Sequence, residues 1–376
     1  MNTGNTFKTI VFMSIVLGLL CPSGSLQKTQ NEKVEVNASV EPSFDTPSIL
    51  PDWTDGEYHD YQGTMLKLYA LNEAYPDLVD IFSIGKSVQG RAIWCFRITN
   101  EKNITRKYSC LIDGCIHGNE WEGGEACLYL ADYLLINFKE NNTVTTILNT
   151  TEVYLVPLVN PDGRENDDRS NENDIDLNRN FDVNFGRLLG RSIPIGKLFG
   201  IKKWFGFQGT KFIWTKSGWC PFSEPESQAL GRFMENIKNK DFSFYVSCHT
   251  AMHCFGAPSY VVIHSDYSLN STEISVFDYA KSWVENHTEY HAAKNKDPFG
   301  MGDSMAWCFK EFHIPSFTFE ILSKEYDPWF GHGKHNHLVH WMETTLPVFM
   351  YLLVNIQNLH EWKIPDIQPP LRKGIS

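Results

Sequence analysis

His117 and Glu120 have the spacing of a metal-binding turn. A histidine at a strand end and a carboxylate three residues on, at a helix start, can converge on one ion. His-x-x-Glu occurs twice, at His117–Glu120 and His340–Glu343, against about one match expected by chance. The second copy lies in a helical segment near His332, His335 and His337, and reads as a solvated helix start. The first follows the apolar run Ser109–Ile116, and Gly114 and Gly118 let the backbone turn there. His249 ends a second apolar run, Phe242–Cys248, with His253 four residues on as a competitor. Glu320 stands inside Phe317-Thr-Phe-Glu-Ile321. A buried carboxylate without a partner is costly, so Glu320 needs a partner or a function. A polar constellation runs through Asn160-Pro-Asp-Gly163, Arg169 and Asp176-Leu-Asn-Arg-Asn-Phe181. Arginine suits bidentate binding of a carboxylate. Arg179 beside Asn178 reads as an anion clamp, with Arg169 a second cation. The same loop reads equally as an Asn-rich surface, with or without a bound calcium.

The elements that must position these residues follow from periodicity and punctuation. Gly63–Tyr75, Trp121–Phe138, Ser271–Glu289 and His337–Leu359 have helical character. Glu224–Lys240 is a further helix, with Ser223 as N-cap and Pro225 in the first turn. Arg91–Ile98, Tyr108–Ile116, Glu152–Val159, Phe242–Cys248, Tyr260–Ile263 and Pro315–Ile321 read as strands. Strands alternating with helices imply an α/β protein. The expected architecture is a single-domain α/β/α sandwich with a mixed, largely parallel central sheet flanked by helices. Such sheets place ligands at the carboxyl ends of their strands. That is where His117 and His249 fall.

The 376 residues carry a net charge of −12. Nonspecific nucleic-acid binding, which needs clustered positive charge, is excluded as a function class. At 42% apolar and 14% aromatic, the chain has ample core material. Ile10–Cys21 is nearly unbroken apolar, follows Lys8, and is too short to span about 30 Å of hydrocarbon. With Ser23, Gly24 and Ser25 behind it, residues 1–25 read as a signal peptide, so the mature chain is expected to be secreted, without a membrane span. Residues 26–52 read as a polar linker or short pro-segment, 53–360 as one domain and 361–376 as a tail. Nine cysteines become eight once Cys21 is removed, an even number that suits disulfides in an exported protein. Cys248 and Cys254, which straddle His249, are a pair to watch. Asn-x-Ser/Thr sites at Asn37, Asn103, Asn141, Asn149, Asn270 and Asn286 suit a glycoprotein.

Taken jointly, the motifs resemble the zinc carboxypeptidases of the carboxypeptidase A type. The resemblance covers about 53–355. It rests on Ile84-Gly-Lys-Ser-Val-Gln-Gly-Arg91, His117-Gly-Asn-Glu120, Asn160-Pro-Asp-Gly163, Asp176-Leu-Asn-Arg-Asn-Phe181, Phe222-Ser-Glu-Pro-Glu226 and Phe317-Thr-Phe-Glu320, in family order. The likeness implies that His117, Glu120 and His249 hold one Zn²⁺ per chain and leave a position open for water. It implies Glu320 as general base and Arg169 as oxyanion stabiliser. It implies Asn178 and Arg179 as the grip on the substrate's free C-terminal carboxylate, so that peptide or protein C-termini are the substrate. It places Met305 at the floor of the side-chain pocket, fifteen positions before Glu320. Asp303 would either face that pocket and favour C-terminal Lys or Arg, or serve as a turn residue facing away.

One departure stands out. Counting back from Glu320, the place of the family's substrate-closing tyrosine falls on Pro298, beside Phe299. The nearest upstream tyrosine is Tyr290. The rival readings are an amidase or peptidoglycan peptidase on the same scaffold, and a catalytically silent binding domain.

Overall fold

The computed structural model describes residues 53–54, 57–185, 187–188, 191–194, 203–208, 211–250, 260–264, 269–295, 302–321 and 338–365. Expectations for 1–25, for the whole linker at 26–52, for most of the tail, and for Cys254, His253, Pro298, Phe299, His332, His335 and His337 lie outside the described residues.

The elements, in chain order, are α1 (Tyr61–Ala74), β1 (Val79–Lys86), β2 (Ala92–Ile98), β3 (Tyr108–Gly114), α2 (Trp121–Ile136), α3 (Asn142–Thr150), β4 (Thr151–Val156) and α4 (Pro161–Asn166). They continue with α5 (Pro225–Ile237), β5 (Phe242–Thr250), β6 (Tyr260–His264), α6 (Ser271–His287), β7 (His291–Asn295), α7 (Ser304–Phe312), β8 (Ser316–Ile321), α8 (Leu338–Val354) and α9 (Ile356–His360). Two short hairpins lie between α4 and α5. The eight strands form one sheet in the order β1-β2-β4-β3-β5-β8-β6-β7. The four central strands, β4-β3-β5-β8, run parallel. β1 and β2 join antiparallel on one side and β6 on the other. The mixed, largely parallel sheet flanked by helices is as expected.

The pleat sorts this sheet into two unlike faces. Cys110, Ile112, Phe244, Val246, Cys248, Phe317, Phe319 and Ile321 join the core packed by α2, α3, α6 and α8. The alternate positions of the same strands, among them Leu111 and Tyr245, join the core under α5 and α7. Asp113, Ser247, His249, Thr318 and Glu320 fall on this second set. The periodicity that buries Val246 and Cys248 on one face thus delivers Ser247 and His249 to the other.

Several boundaries differ from expectation for identifiable reasons. β1, α3, β7 and α7 were not anticipated. α7 is short, and β1 is an antiparallel edge strand with mixed burial rather than a clean apolar run. α8 ends at Val354 and a separate α9 follows. Ser223 is not the cap of α5. Glu224 holds that position without a side-chain cap bond, and the Ser223 hydroxyl donates to Glu224 Oε1 at 2.7 Å. Residues just after Trp53 tie down acids buried on α2: Trp53 Nε1 donates to Asp132 Oδ2 at 3.2 Å, and the His59 amide donates to Glu125 Oε1 at 2.6 Å.

The expected disulfide framework is largely overturned. Cys95, Cys110, Cys115, Cys127, Cys248 and Cys308 are free and buried, while Cys220 is disulfide-bonded. Burial pushes the Cys115 thiol up to about 12. These sulfurs behave as small core residues. Cys248 does not bridge to Cys254, because the pleat turns it away from His249 into the helix-packed core.

Candidate metal centre

His117 lies three residues beyond β3, and Glu120 stands immediately before α2. The sharp bend between them and β3 falls on Cys115, at φ 50°. The two glycines serve close approach instead: a Cβ at Gly118 would lie 2.0 Å from the Gly163 carbonyl carbon, and one at Gly114 would lie 2.3 Å from Gly123. Although Glu120 is the N-cap of α2, its carboxylate does not cap the helix. It turns to two imidazoles. Oε1 is 2.8 Å from His117 Nδ1, Oε2 is 2.7 Å from His249 Nδ1, and the two Nδ1 atoms are 3.1 Å apart. All three residues are buried and their donor atoms fall within 4.8 Å of one another. Among the described residues this is the one group of three or more acidic, His or Cys side chains so placed. Two imidazoles and one carboxylate form a donor set that fits zinc with a position left open.

Asp176 supports the set from behind. Its Oδ1 lies 3.0 Å from His117 Nε2 and accepts the Asn178 amide at 3.1 Å. Its Oδ2 accepts Arg169 Nε at 3.1 Å. A carboxylate on Nε2 fixes the tautomer that leaves Nδ1 free to ligate. Burial opposes ionisation of Asp176, but Arg169, His117 and Arg179 outweigh it and hold the carboxyl well below its usual range. Glu120 behaves alike: burial opposes its charge, and His117 and His249 overcome that and hold it well below the usual range.

Glu320 and His249 occupy neighbouring positions in the parallel pair β8–β5. Burial pushes the Glu320 carboxyl above its usual value, the charge of Glu120 adds to this, and His249 opposes it. Two positions back on the same face, the Thr318 hydroxyl donates to the thioether of buried Met305 at 3.3 Å. Met305 is therefore packed within two strand positions of Glu320.

Arg169 NH1 donates to Glu120 Oε1 at 3.0 Å, so this guanidinium reaches the ligand set itself. Asn178 and Arg179 sit on a 3₁₀ turn, Leu177–Arg179, opened by Asp176. Asn178 is nearly buried; its Oδ1 accepts the Ser304 amide at 2.9 Å and its Nδ2 lies 3.3 Å from His249 Nε2. Arg179 NH1 donates to the Asn178 carbonyl at 2.7 Å. Gly302, at φ 73°, packs on this turn so tightly that a Cβ would lie 2.3 Å from the Arg179 carbonyl oxygen. The start of α7 and the Asn178–Arg179 turn are thus one unit. Asp303 is the N-cap of α7, its Oδ1 accepting the Ala306 amide at 2.7 Å. That is the turn role, and it occupies one of the two carboxylate oxygens.

Residues 66–330 match the family model described as zinc carboxypeptidase. The chain belongs to the zinc carboxypeptidase family. Within that family, 110 residues are 38% identical to carboxypeptidase D of Rattus norvegicus, covering 29% of this chain and 8% of that protein. Another 335-residue match is 24% identical to carboxypeptidase O of Bos taurus and covers 81% of each. The chain spans between 8% and 12% of the length of the carboxypeptidase D relatives it matches. The crystal structure of carboxypeptidase A from Helicoverpa armigera shares the fold, with a TM-score of 0.62 at 19% identity over 81% of this chain and 74% of that one.

The nearest tyrosine upstream of Glu320 has a different role. Tyr290 packs at 1% exposure in the helix-side core, its hydroxyl 2.5 Å from Thr345 Oγ1. It is a core residue, not a tyrosine able to close over substrate. Sequence reading also passed over Asp176 as the partner of His117, and Asp113 beneath the sheet. The signal for Asp113 was present: it is a carboxylate inside the apolar run Ser109–Ile116, the same anomaly that singled out Glu320.

Proposed function

We propose that the chain is a zinc-dependent carboxypeptidase that removes single residues from the C-termini of peptides or proteins. One observation carries the reading: the amide of Asn178 lies 3.3 Å from His249, a member of the His117–Glu120–His249 set. A C-terminal carboxylate gripped by Asn178 and Arg179 would leave the last peptide bond beside the metal position. An amidase or endopeptidase has no use for an anion clamp so close.

His117, Glu120 and His249 would hold the zinc, which when bound supplies a Lewis acid that acidifies water and polarises a carbonyl. Glu320 takes a proton from the attacking water on its carboxylate and passes it to the leaving amide nitrogen. Its raised affinity for protons suits a group that must both accept and return one. Arg169 donates N–H groups to the oxygen that becomes negative at the scissile carbonyl. Asn178 Nδ2 and the Arg179 guanidinium bind and orient the terminal carboxylate. Met305 lines an apolar side-chain pocket, so Leu, Met, Phe and Tyr are the favoured C-terminal residues. The second oxygen of Asp303 gives a lesser activity on Lys and Arg.

The apolar segment Ile10–Cys21 supports export, and with it glycosylation at exposed Asn-x-Ser/Thr sites. No described helix is long and apolar enough to cross a membrane. The test is mass spectrometry of a peptide incubated with the purified chain, as free acid and as C-terminal amide, with and without a zinc chelator. Loss of one residue from the free acid alone, abolished by chelator, supports the reading. Internal cleavage, or equal cleavage of the amide, contradicts it.

A further inference from the structure

Asp113 is a fully buried carboxylate that the reaction above does not use. Two runs of polar contacts lead from it toward the metal centre. Ser247 Oγ donates to Asp113 Oδ1 at 2.9 Å. Ser247 Oγ also lies 3.3 Å from His249 Nε2. The Tyr245 hydroxyl donates to Asp113 Oδ2 in a short contact. Tyr245 is also 2.9 Å from Ser304 Oγ. Since the single phenolic proton goes to Asp113, the serine is the donor in that last bond. The Ser304 amide donates to Asn178 Oδ1, which leaves Asn178 Nδ2 3.3 Å from His249 Nε2, a close approach with no hydrogen shared between them. Asp113, Ser247, His249 and Ser304 are all less than 4% exposed, and Tyr245 is at 0%.

The directions of these bonds are set by one group. Both Asp113 oxygens accept, Oδ1 from the Ser247 hydroxyl and Oδ2 from the Tyr245 hydroxyl. Ser247 must then spend its proton on Asp113 and offer a lone pair to His249 Nε2. That requires hydrogen on Nε2 and leaves Nδ1, the atom facing Glu120 and His117, as the free ligand nitrogen. Asn178 Nδ2 cannot donate to a protonated Nε2, so its hydrogens remain for a substrate carboxylate. On the other arm, Asp113 holds Tyr245, which receives Ser304 at the start of α7, which in turn fixes the Asn178 amide orientation.

We propose that Asp113 is a positioning residue with two arms, one through Ser247 that holds His249 in its metal-binding tautomer and one through Tyr245 and Ser304 that orients Asn178 toward the substrate carboxylate. The proposal rests on the metal centre and carboxylate grip described above. It explains why a carboxylate stands in the middle of an apolar strand: it fixes bond directions that a neutral residue, able to donate as well as accept, would leave open.

The experiment uses the full chain and measures zinc affinity by competition with a chromogenic chelator, alongside kcat and KM on free-acid peptides and thermal melting. Ser247→Ala and Asp113→Asn should each weaken zinc about 10–100-fold, the usual cost of losing a partner behind a ligand. Their double variant should lose no more than the weaker-binding single variant, because both break one chain of bonds. Tyr245→Phe should keep zinc affinity within about twofold and raise KM about tenfold with kcat little changed, a split expected of lost ground-state binding. Should Asp113→Asn fail to fold, Ser247→Ala and Tyr245→Phe carry the test, one for each arm. A folded Ser247→Ala protein with unchanged zinc affinity overturns the proposal, as do multiplying losses in the double variant or an unchanged KM in Tyr245→Phe. An unaltered chain that binds no zinc would sink the metal-centre reading first, and this proposal with it.

Discussion

Glu320 and His249 stand side by side in adjacent parallel strands, paired across β8 and β5. The proposed base and a proposed metal ligand are thus fixed by backbone hydrogen bonds rather than by loops. Strand register is strict where both faces are buried, since a shift of one residue would send Glu320 into the apolar core and bring out Phe319. The chemistry of the site therefore depends on a sheet that cannot slip.

Glu320→Gln should retain zinc and substrate binding and lose turnover. The amide is nearly isosteric but cannot take the proton from water. General-base loss costs about 10²–10⁴-fold in kcat, and more where one group serves two transfers. Steady-state kinetics with metal analysis of the same sample checks this. Turnover near that of the unaltered protein would remove Glu320 from the mechanism.

Arg179→Ala should raise KM for free-acid peptides and erase discrimination against amidated ones. A charged hydrogen bond in a partly dry pocket is worth about 1.5–3 kcal/mol. Matched pairs of free-acid and amidated substrates give the measurement. Unchanged discrimination would place the anion clamp elsewhere.

Asp303→Ala tests two roles at once. Loss of the helix cap on Ala306 should cost about 1 kcal/mol of stability. Cleavage of Lys and Arg termini should fall about tenfold relative to Phe and Leu, for a lost contact of about 1.4 kcal/mol. Relative kcat/KM on substrates ending in Phe, Leu, Lys, Arg and Glu decides. Equal losses on all of them would mean that the carboxylate only caps α7. A preference for C-terminal Glu in the unaltered protein would contradict the apolar pocket itself.

The buried cysteines predict a redox behaviour opposite to that of a disulfide scaffold. At least six thiols should react with a thiol reagent in denaturant without reductant, and the same six should be inert in the folded protein. Fewer than six in denaturant would restore the disulfide framework.

The carboxyl ends of the strands, and the residues gathered there, were legible because each motif broke a local rule. Glu320 stood in an apolar strand, His249 ended one, and His117 and Glu120 bracketed a strand-to-helix bend. The outer supports were harder to read. Asp176 looked like part of a loop motif, and only the fold brings it 59 residues along the chain to His117. Cysteine parity misled because it counts sulfurs without their faces. The pleat, not the count, decides that Cys248 points away from His249. The start of α7 was invisible to periodicity, since Gly302 and Asp303 read as a turn and the helix that follows is only nine residues long.

The most direct test of the central claim is metal analysis of the purified chain beside its His117→Ala and His249→Ala variants, with folding checked by thermal melting. The arrangement of His117, Glu120 and His249 predicts about one zinc per chain in the unaltered protein and loss of it in both variants. Folded variants that keep a full zinc would contradict it and place the metal elsewhere.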